Sequence, residues 1–268
     1  MNFLKLFRAE LYKTKRMPFL AFYTALIAVS VGVFFLLFYI KPVEEFLKEG
    51  MGKEPNPWNA FYFRRYLFLF VIFLPLIASI TTYVVKNIED KSDAWKRVYV
   101  LPVSNVIIHL SKLSVIWLFI TLYVGITILL LIAAGVSLDK LKPDFSFSEH
   151  PSLHKFLFVF LLKFEIAAIA ITTLSYAYMI LIKRTVVSLL LSIFLPFVGL
   201  FFISPYSSPL YQLHSFNISV SEMLINSYSY EMLHLQVITS HDFLCMGATV
   251  ISFAIIVWAS KRPIIYYE

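Results

Sequence analysis

Charge is scarce in this sequence. Asp, Glu, Lys and Arg supply 15% of its 268 residues and hydrophobic residues 60%, whereas a soluble domain carries about a quarter charged residues. That balance excludes an ordinary water-soluble fold and indicates an integral membrane protein. Cysteine is nearly absent: Cys245 stands alone in the last apolar run, so neither an intrachain disulfide nor a thiolate metal cluster can form. The glycines never fall into G-x-x-x-x-G-K followed by Ser or Thr, and without that backbone cradle the chain has no phosphate-binding loop of its own. H-E-x-x-H is missing too. His150 and His154 are separated by Pro151 and have no third ligand placed by sequence; they read as polar residues at a helix start, and no metal is expected. No nucleophile is paired with a base inside an apolar run, which argues against an intramembrane enzyme.

What is present is a series of uncharged runs of the length that crosses a bilayer, about 20 residues. They cover residues 19–40, 66–85, 113–136, 166–182, 185–203 and 243–260. The expected fold class is therefore an all-α polytopic membrane protein, a single transmembrane domain over 1–268 with six transmembrane helices. A net charge of +7 could suggest nucleic acid, but the basic residues flank the runs instead of forming one face. No nucleic-acid partner is expected; the basic residues orient the chain in the lipid bilayer. Lys and Arg gather before the first run, in 86–112, at Lys183-Arg184 and at Lys261-Arg262, which predicts that these segments and both termini are cytoplasmic. Residues 205–240 contain neither Lys nor Arg and are predicted to lie outside. The first run is too long for a signal-peptide core and ends in Phe38, Tyr39 and Ile40, too bulky for a cleavage site.

Residues 1–18 read as an interfacial amphipathic helix. Phe3, Phe7 and Leu11 recur at four-residue spacing, with Lys5, Arg8, Lys15 and Arg16 turned elsewhere. The stretch 86–112 is the longest charged interruption between two apolar runs. Within it residues 93–99 form a short amphipathic unit, which Pro102 closes by pushing Leu101 out of the helical region. Pro75 and Pro196 fall inside the second and fifth runs, where proline tends to kink a helix. Ala168, Thr172 and Ser175 give the fourth run a small-residue face for packing. Lys163 and Glu165 are the charges closest to being inside a span. At 1.5 Å per residue they lie about 28 and 25 Å from Ile182, near the outer edge, where they snorkel to headgroups or meet a charged substrate. So little charge at depth argues against ion coupling within the chain. In 205–240, Ser219 and Glu222 fit a capping box, so short helices are expected in this extracytoplasmic loop.

Glu89, Asp93-Ala94-Trp95-Lys96, Leu101-Pro102-Val103-Ser104 and Ser111-Lys112-Leu113, set among six apolar runs behind a basic amphipathic helix, resemble the type 2 ABC-transporter permeases, in particular the lantibiotic-immunity branch. Asn105 stands where many relatives carry a basic residue. The resemblance implies a multi-pass permease subunit of a bacterial cytoplasmic (inner) membrane exporter, pairing with a second permease, identical or not, and docking cytosolic ABC ATPase subunits. It makes 86–112 the cytoplasmic coupling loop. Glu89, Asp93, Trp95, Lys96, Arg97, Val98 and Pro102 would couple to the ATPase, with the N-terminal helix as a brace. The chain would hold no cofactor itself; ATP and Mg would belong to the partner subunit. The implied cargo is hydrophobic or amphipathic, an antimicrobial peptide being one candidate. A reading of another class is a non-transporting scaffold or sensor subunit that couples a cytosolic ATPase to an extracytoplasmic partner; substrate-stimulated ATP hydrolysis distinguishes the two.

Overall fold

Every regular element among the described residues is an α-helix. The computed structural model describes residues 3–15, 64–91, 103–141, 153–182, 184–201 and 240–261, with isolated helical positions at 25, 28, 29 and 32. The first expected span, residues 92–102 and residues 202–239 lie outside the described set, apart from those isolated positions. The helices are α1 (Phe3–Lys15), α2 (Arg64–Lys91), α3 (Asn105–Leu141), α4 (Leu153–Leu181), α5 (Thr185–Phe201) and α6 (Ser240–Ser260). Three of them contain stretches long and apolar enough to cross a membrane: Asn105–Leu130, Phe164–Leu181 and Asp242–Ser260. Helix is the form these runs must take, because lipid offers no partner for an open backbone N–H or C=O.

The helix boundaries follow from local chemistry. Ser104 caps α3, its carbonyl accepting from the backbone N–H of Ile107 at 3.0 Å and of Ile108 at 3.3 Å, just after Pro102 has excluded an earlier start. α4 closes with Ile182 N–H to the Tyr178 carbonyl at 2.8 Å, and α5 opens with Ser188 N–H to the Arg184 carbonyl at 3.0 Å. α2 and α5 run on through Pro75 and Pro196 without a break in helix assignment. The charged interruption 86–112 is narrower than its charge suggests, for α2 continues to Lys91 and α3 starts at Asn105. Charged side chains do not end a helix; proline does.

α4 is the central helix, packing against α2, α3, α5 and α6. Its stretch Phe164–Leu181 is 61% buried, against 22% for Asp242–Ser260 in α6. It can sit there because the face it presents is small: Ala167, Ala168, Ala170, Thr172 and Ser175 are all buried, the surface that lets helix backbones approach in a membrane. Several buried threonine hydroxyls return to their own helix. Thr172 Oγ1 donates to the Ala168 carbonyl at 2.7 Å, Thr81 Oγ1 to Ile77 at 2.6 Å and Thr82 Oγ1 to Ala78 at 2.7 Å, so these polar atoms are satisfied without reaching across the interface. Leu129, Phe194, Val250 and Ile251 point outward, an apolar exterior suited to lipid.

Candidate functional site: a polar clamp at one end of the bundle

The end where α2 and α4 finish and α3 begins is cross-linked by polar side chains. Lys86 on α2 donates from Nζ to the Met179 carbonyl on α4. Asn105, the first residue of α3, donates from Nδ2 to the Ser260 carbonyl at the end of α6, 3.0 Å away. Two turns along α3, Lys112 is fully buried, its Nζ 3.1 Å from Glu10 Oε1 on α1. The same oxygen takes Lys13 Nζ at 2.7 Å. Further up, α3 and α4 run antiparallel through three side-chain contacts: His109 Nδ1 lies 2.9 Å from the Tyr176 hydroxyl with the rings edge to face, Trp117 Nε1 donates to Thr173 Oγ1 at 3.2 Å, and Thr121 Oγ1 donates to Glu165 Oε2 at 3.0 Å.

α1 is held to α3 by a row that the apolar stripe alone does not reveal. Phe3, Phe7 and Leu11 are only half-buried, whereas Leu6, Glu10 and Thr14, the neighbouring row at the same four-residue spacing, are each 5% exposed. Leu4 and Tyr12 remain exposed. The helix thus turns one row to the protein, the Phe3–Phe7–Leu11 row to the boundary, and Lys5 and Arg8 away from both, the disposition of an interfacial helix pinned to a bundle. A carboxylate in the protein-facing row is tolerable because two ammonium groups reach it.

Of the residues singled out by sequence, Glu89 lies in the last turns of α2, its side chain outside the described set. Asp93, Trp95, Lys96, Arg97, Val98 and Pro102 lie outside the described residues. Lys163 is in α4, its side chain likewise outside. Glu165 bonds through Oε2 to Thr121 on α3, and its Oε1 is buried. Sequence reasoning misses Glu10, Lys112, His109, Tyr176 and Thr121 as partners. The available signal was an acid at the i+4 position between Leu6 and Thr14. Among the described residues no three His, Cys, Asp or Glu side chains converge to hold a metal. What the clamp can do is mechanical: it ties both helices that flank residues 92–104 to the rest of the bundle.

The family profile described as ABC-2 family transporter protein matches residues 6–199, a span that takes in α1 through most of α5 and so the whole clamp apart from Ser260. A search of curated proteins and one of solved structures found no match. With most of its length covered by that profile, the chain belongs to the ABC-2 family of transporter proteins and is a membrane permease subunit of an ABC transporter, a family that associates with an ABC ATPase.

Proposed function

We propose that this permease serves an ATP-driven exporter of hydrophobic or amphipathic compounds, an antimicrobial peptide among the candidates, in a bacterial cytoplasmic membrane. The ATPase docks on residues 92–104, with Trp95 and Val98 as apolar contacts and Lys96 and Arg97 as polar ones, and Glu89 and Asp93 flank them. Two permeases, identical or not, form the path. The clamp carries the reading. Lys86 ties the helix entering this loop to α4, and Asn105 and Lys112 tie the helix leaving it to α6 and α1, so a displacement of the loop is passed to α4, α6 and α1 at once. A loop with no mechanical task needs no such anchoring. The basic bias supports a cytoplasmic position for this end, on the side where ATP is.

Trp95→Ala tests the docking role. Loss of a central aromatic anchor typically costs about 2 kcal/mol, roughly thirtyfold in affinity. Pull-down of the ATPase from detergent at matched expression is expected to drop accordingly for Trp95→Ala and for Arg97→Glu. Full retention by both variants overturns the docking assignment. In the reconstituted complex, ATP hydrolysis is expected to rise with an amphipathic substrate; a rate indifferent to every substrate tried while the ATPase stays bound returns the chain to a scaffold role.

A further inference from the structure

We propose that α1 is a docking surface for anionic phospholipid, with Arg8 and Lys5 holding the headgroup phosphate at the margin of an apolar strip that lies among the acyl chains. Helix geometry lays the strip out. At 3.6 residues per turn, the protein-facing row Leu6, Glu10 and Thr14 is followed around α1 by Phe3, Phe7, Leu11 and Leu4, then by Arg8, and last by Tyr12, Lys5 and Ala9. Exposure rises in the same order: the first row is buried, Phe3, Phe7 and Leu11 are half-buried, and the others are exposed, Leu4 at 66% and Tyr12 at 61%. Apolar side chains thus continue without a gap from the bundle to Leu4, and the first basic residue stands at their edge. α1 meets α3 at Lys112, two turns into the apolar stretch Asn105–Leu130. It therefore lies near the end of that stretch, where hydrocarbon gives way to headgroups.

Charge decides which headgroup. Glu10 is the one acidic residue of α1, and its carboxylate is taken by Lys112 and Lys13. It stands about 200° around the helix from Arg8 and about 140° from Lys5, so it neutralises neither. Among the described residues no carboxylate pairs with Arg8 or Lys5. Two exposed cations three residues apart thus face the headgroup layer, and a basic amphipathic helix binds through its apolar area together with attraction to anionic lipid. Zwitterionic lipid offers the same phosphate, but its own ammonium offsets the attraction, so a headgroup of net negative charge is selected. An acidic protein surface suits the two cations but not the strip from Phe3 to Leu4 beside them. One occupant satisfies both only if it is charged at one end and hydrocarbon at the other, which describes a phospholipid. α1 is then held between two charge contacts, Lys112 on the bundle side and lipid phosphate on the other.

The test uses the full chain in phosphatidylcholine nanodiscs, with a fluorophore attached at Ala9→Cys in a Cys245→Ala background; Ala9 is exposed and adjoins Arg8. Acyl-brominated phosphatidylglycerol or phosphatidylcholine is titrated in as quencher. The parent reporter is expected to be quenched preferentially by phosphatidylglycerol. That preference is expected to fall about fivefold in Arg8→Gln and again in Lys5→Gln, the contribution of one basic residue near an anionic surface, and to vanish in the double variant. Quenching by phosphatidylcholine is expected to stay unchanged, as the check that α1 still lies on the bilayer. Lys13→Gln removes the same charge from the same helix, but Lys13 is engaged by Glu10, so the preference is expected to survive. Equal quenching by the two lipids in the parent, a preference kept in the double variant, or an equal loss in Lys13→Gln overturns the site. If the double variant keeps its lipid preference but loses its ATPase in a pull-down, the two cations serve a protein surface and the lipid assignment falls.

Discussion

The ion pair between Glu10 and Lys112 offers the sharpest perturbation. Lys112 Nζ is entirely shielded and the Glu10 side chain 7% exposed, so neither charge is screened by water as a surface pair is. Removing one partner from such a pair costs about 3–5 kcal/mol, while replacing both with apolar groups is close to neutral. The two single variants are not equivalent. Lys112→Met leaves Glu10 with Lys13 at 2.7 Å, whose side chain is 33% exposed, so its expected cost is smaller, about 1–2 kcal/mol given that partly screened pairs are weaker. Glu10→Gln withdraws the carboxylate from both lysines, and the Lys112 ammonium sits where desolvation is complete; about 3 kcal/mol is expected. The cost falls on the docking of α1, since relaxing the pair requires only that this short helix lift from α3. A Thr14→Cys reporter in a Cys245→Ala background reads it directly, Thr14 being 5% exposed on the protein-facing row. Maleimide labelling under conditions where α1 opens and closes rapidly should accelerate about a hundredfold in Glu10→Gln, since 1.4 kcal/mol is tenfold, and only about five- to thirtyfold in Lys112→Met. The double variant Glu10→Gln/Lys112→Met should label no faster than Lys112→Met. Equal labelling of parent and Glu10→Gln, or additive effects in the double variant, refutes the claim that this pair pins α1.

Three further outcomes are expected. The isolated chain should show no ATP hydrolysis, because the sequence has no phosphate-cradling loop; turnover that survives removal of contaminating ATPases contradicts this. Ser208→Cys should react with an impermeant thiol reagent added outside intact cells, as the loop without Lys or Arg is predicted to do, and reaction only from the cytoplasmic side inverts the topology. Thr173→Val keeps the side-chain shape but removes the acceptor for Trp117 Nε1, and should lower unfolding free energy in a detergent titration by about 0.6 kcal/mol, the mean for side-chain hydrogen bonds between membrane helices; a loss above about 2 kcal/mol would assign this contact a larger role.

The helices are legible in the sequence because lipid permits no alternative to helix in an uncharged run, and the packing face Ala168, Thr172 and Ser175 is legible because small residues at helical spacing have one use there. The ends of the helices are less so. Lys86 and Lys112 read as boundary charges, yet both belong to helices, since a lysine with a partner does not interrupt a helix and its long stem is compatible with burial. The partners themselves are invisible to local pattern. Glu10 and Lys112 are 102 residues apart and Lys86 and Met179 93 apart, and nothing in either neighbourhood selects the other. Glu165 is the instructive case. Counting residues from the end of α4 puts it near one end of that helix's apolar stretch, but nothing in that count selects Thr121, 44 residues away on α3, as its partner.

A loop transmits force only as well as its ends are held. Had residues 92–104 joined two helices that touch the bundle through apolar side chains alone, a push on the loop would be absorbed by sliding, because dispersion contacts between apolar helices are individually weak and non-directional. Here the ends are fixed by directional bonds: Lys86 to the Met179 carbonyl, Asn105 to the Ser260 carbonyl, Lys112 to Glu10. Each needs a particular distance and angle to persist, so moving α2 relative to α4, or α3 relative to α6 and α1, breaks bonds before it shears apolar contacts. The stiff path continues along α3 through His109–Tyr176 and Trp117–Thr173 to Thr121–Glu165. On the proposed docking role, motion imposed on residues 92–104 reaches Glu165 through two helices coupled by hydrogen bonds at three levels. That route also has a direction: tilting α3 away from α4 parts Thr121 from Glu165, while Lys86 keeps α2 with α4 and Lys112 keeps α3 with α1, so the far end of the α3–α4 contact yields before the clamp does.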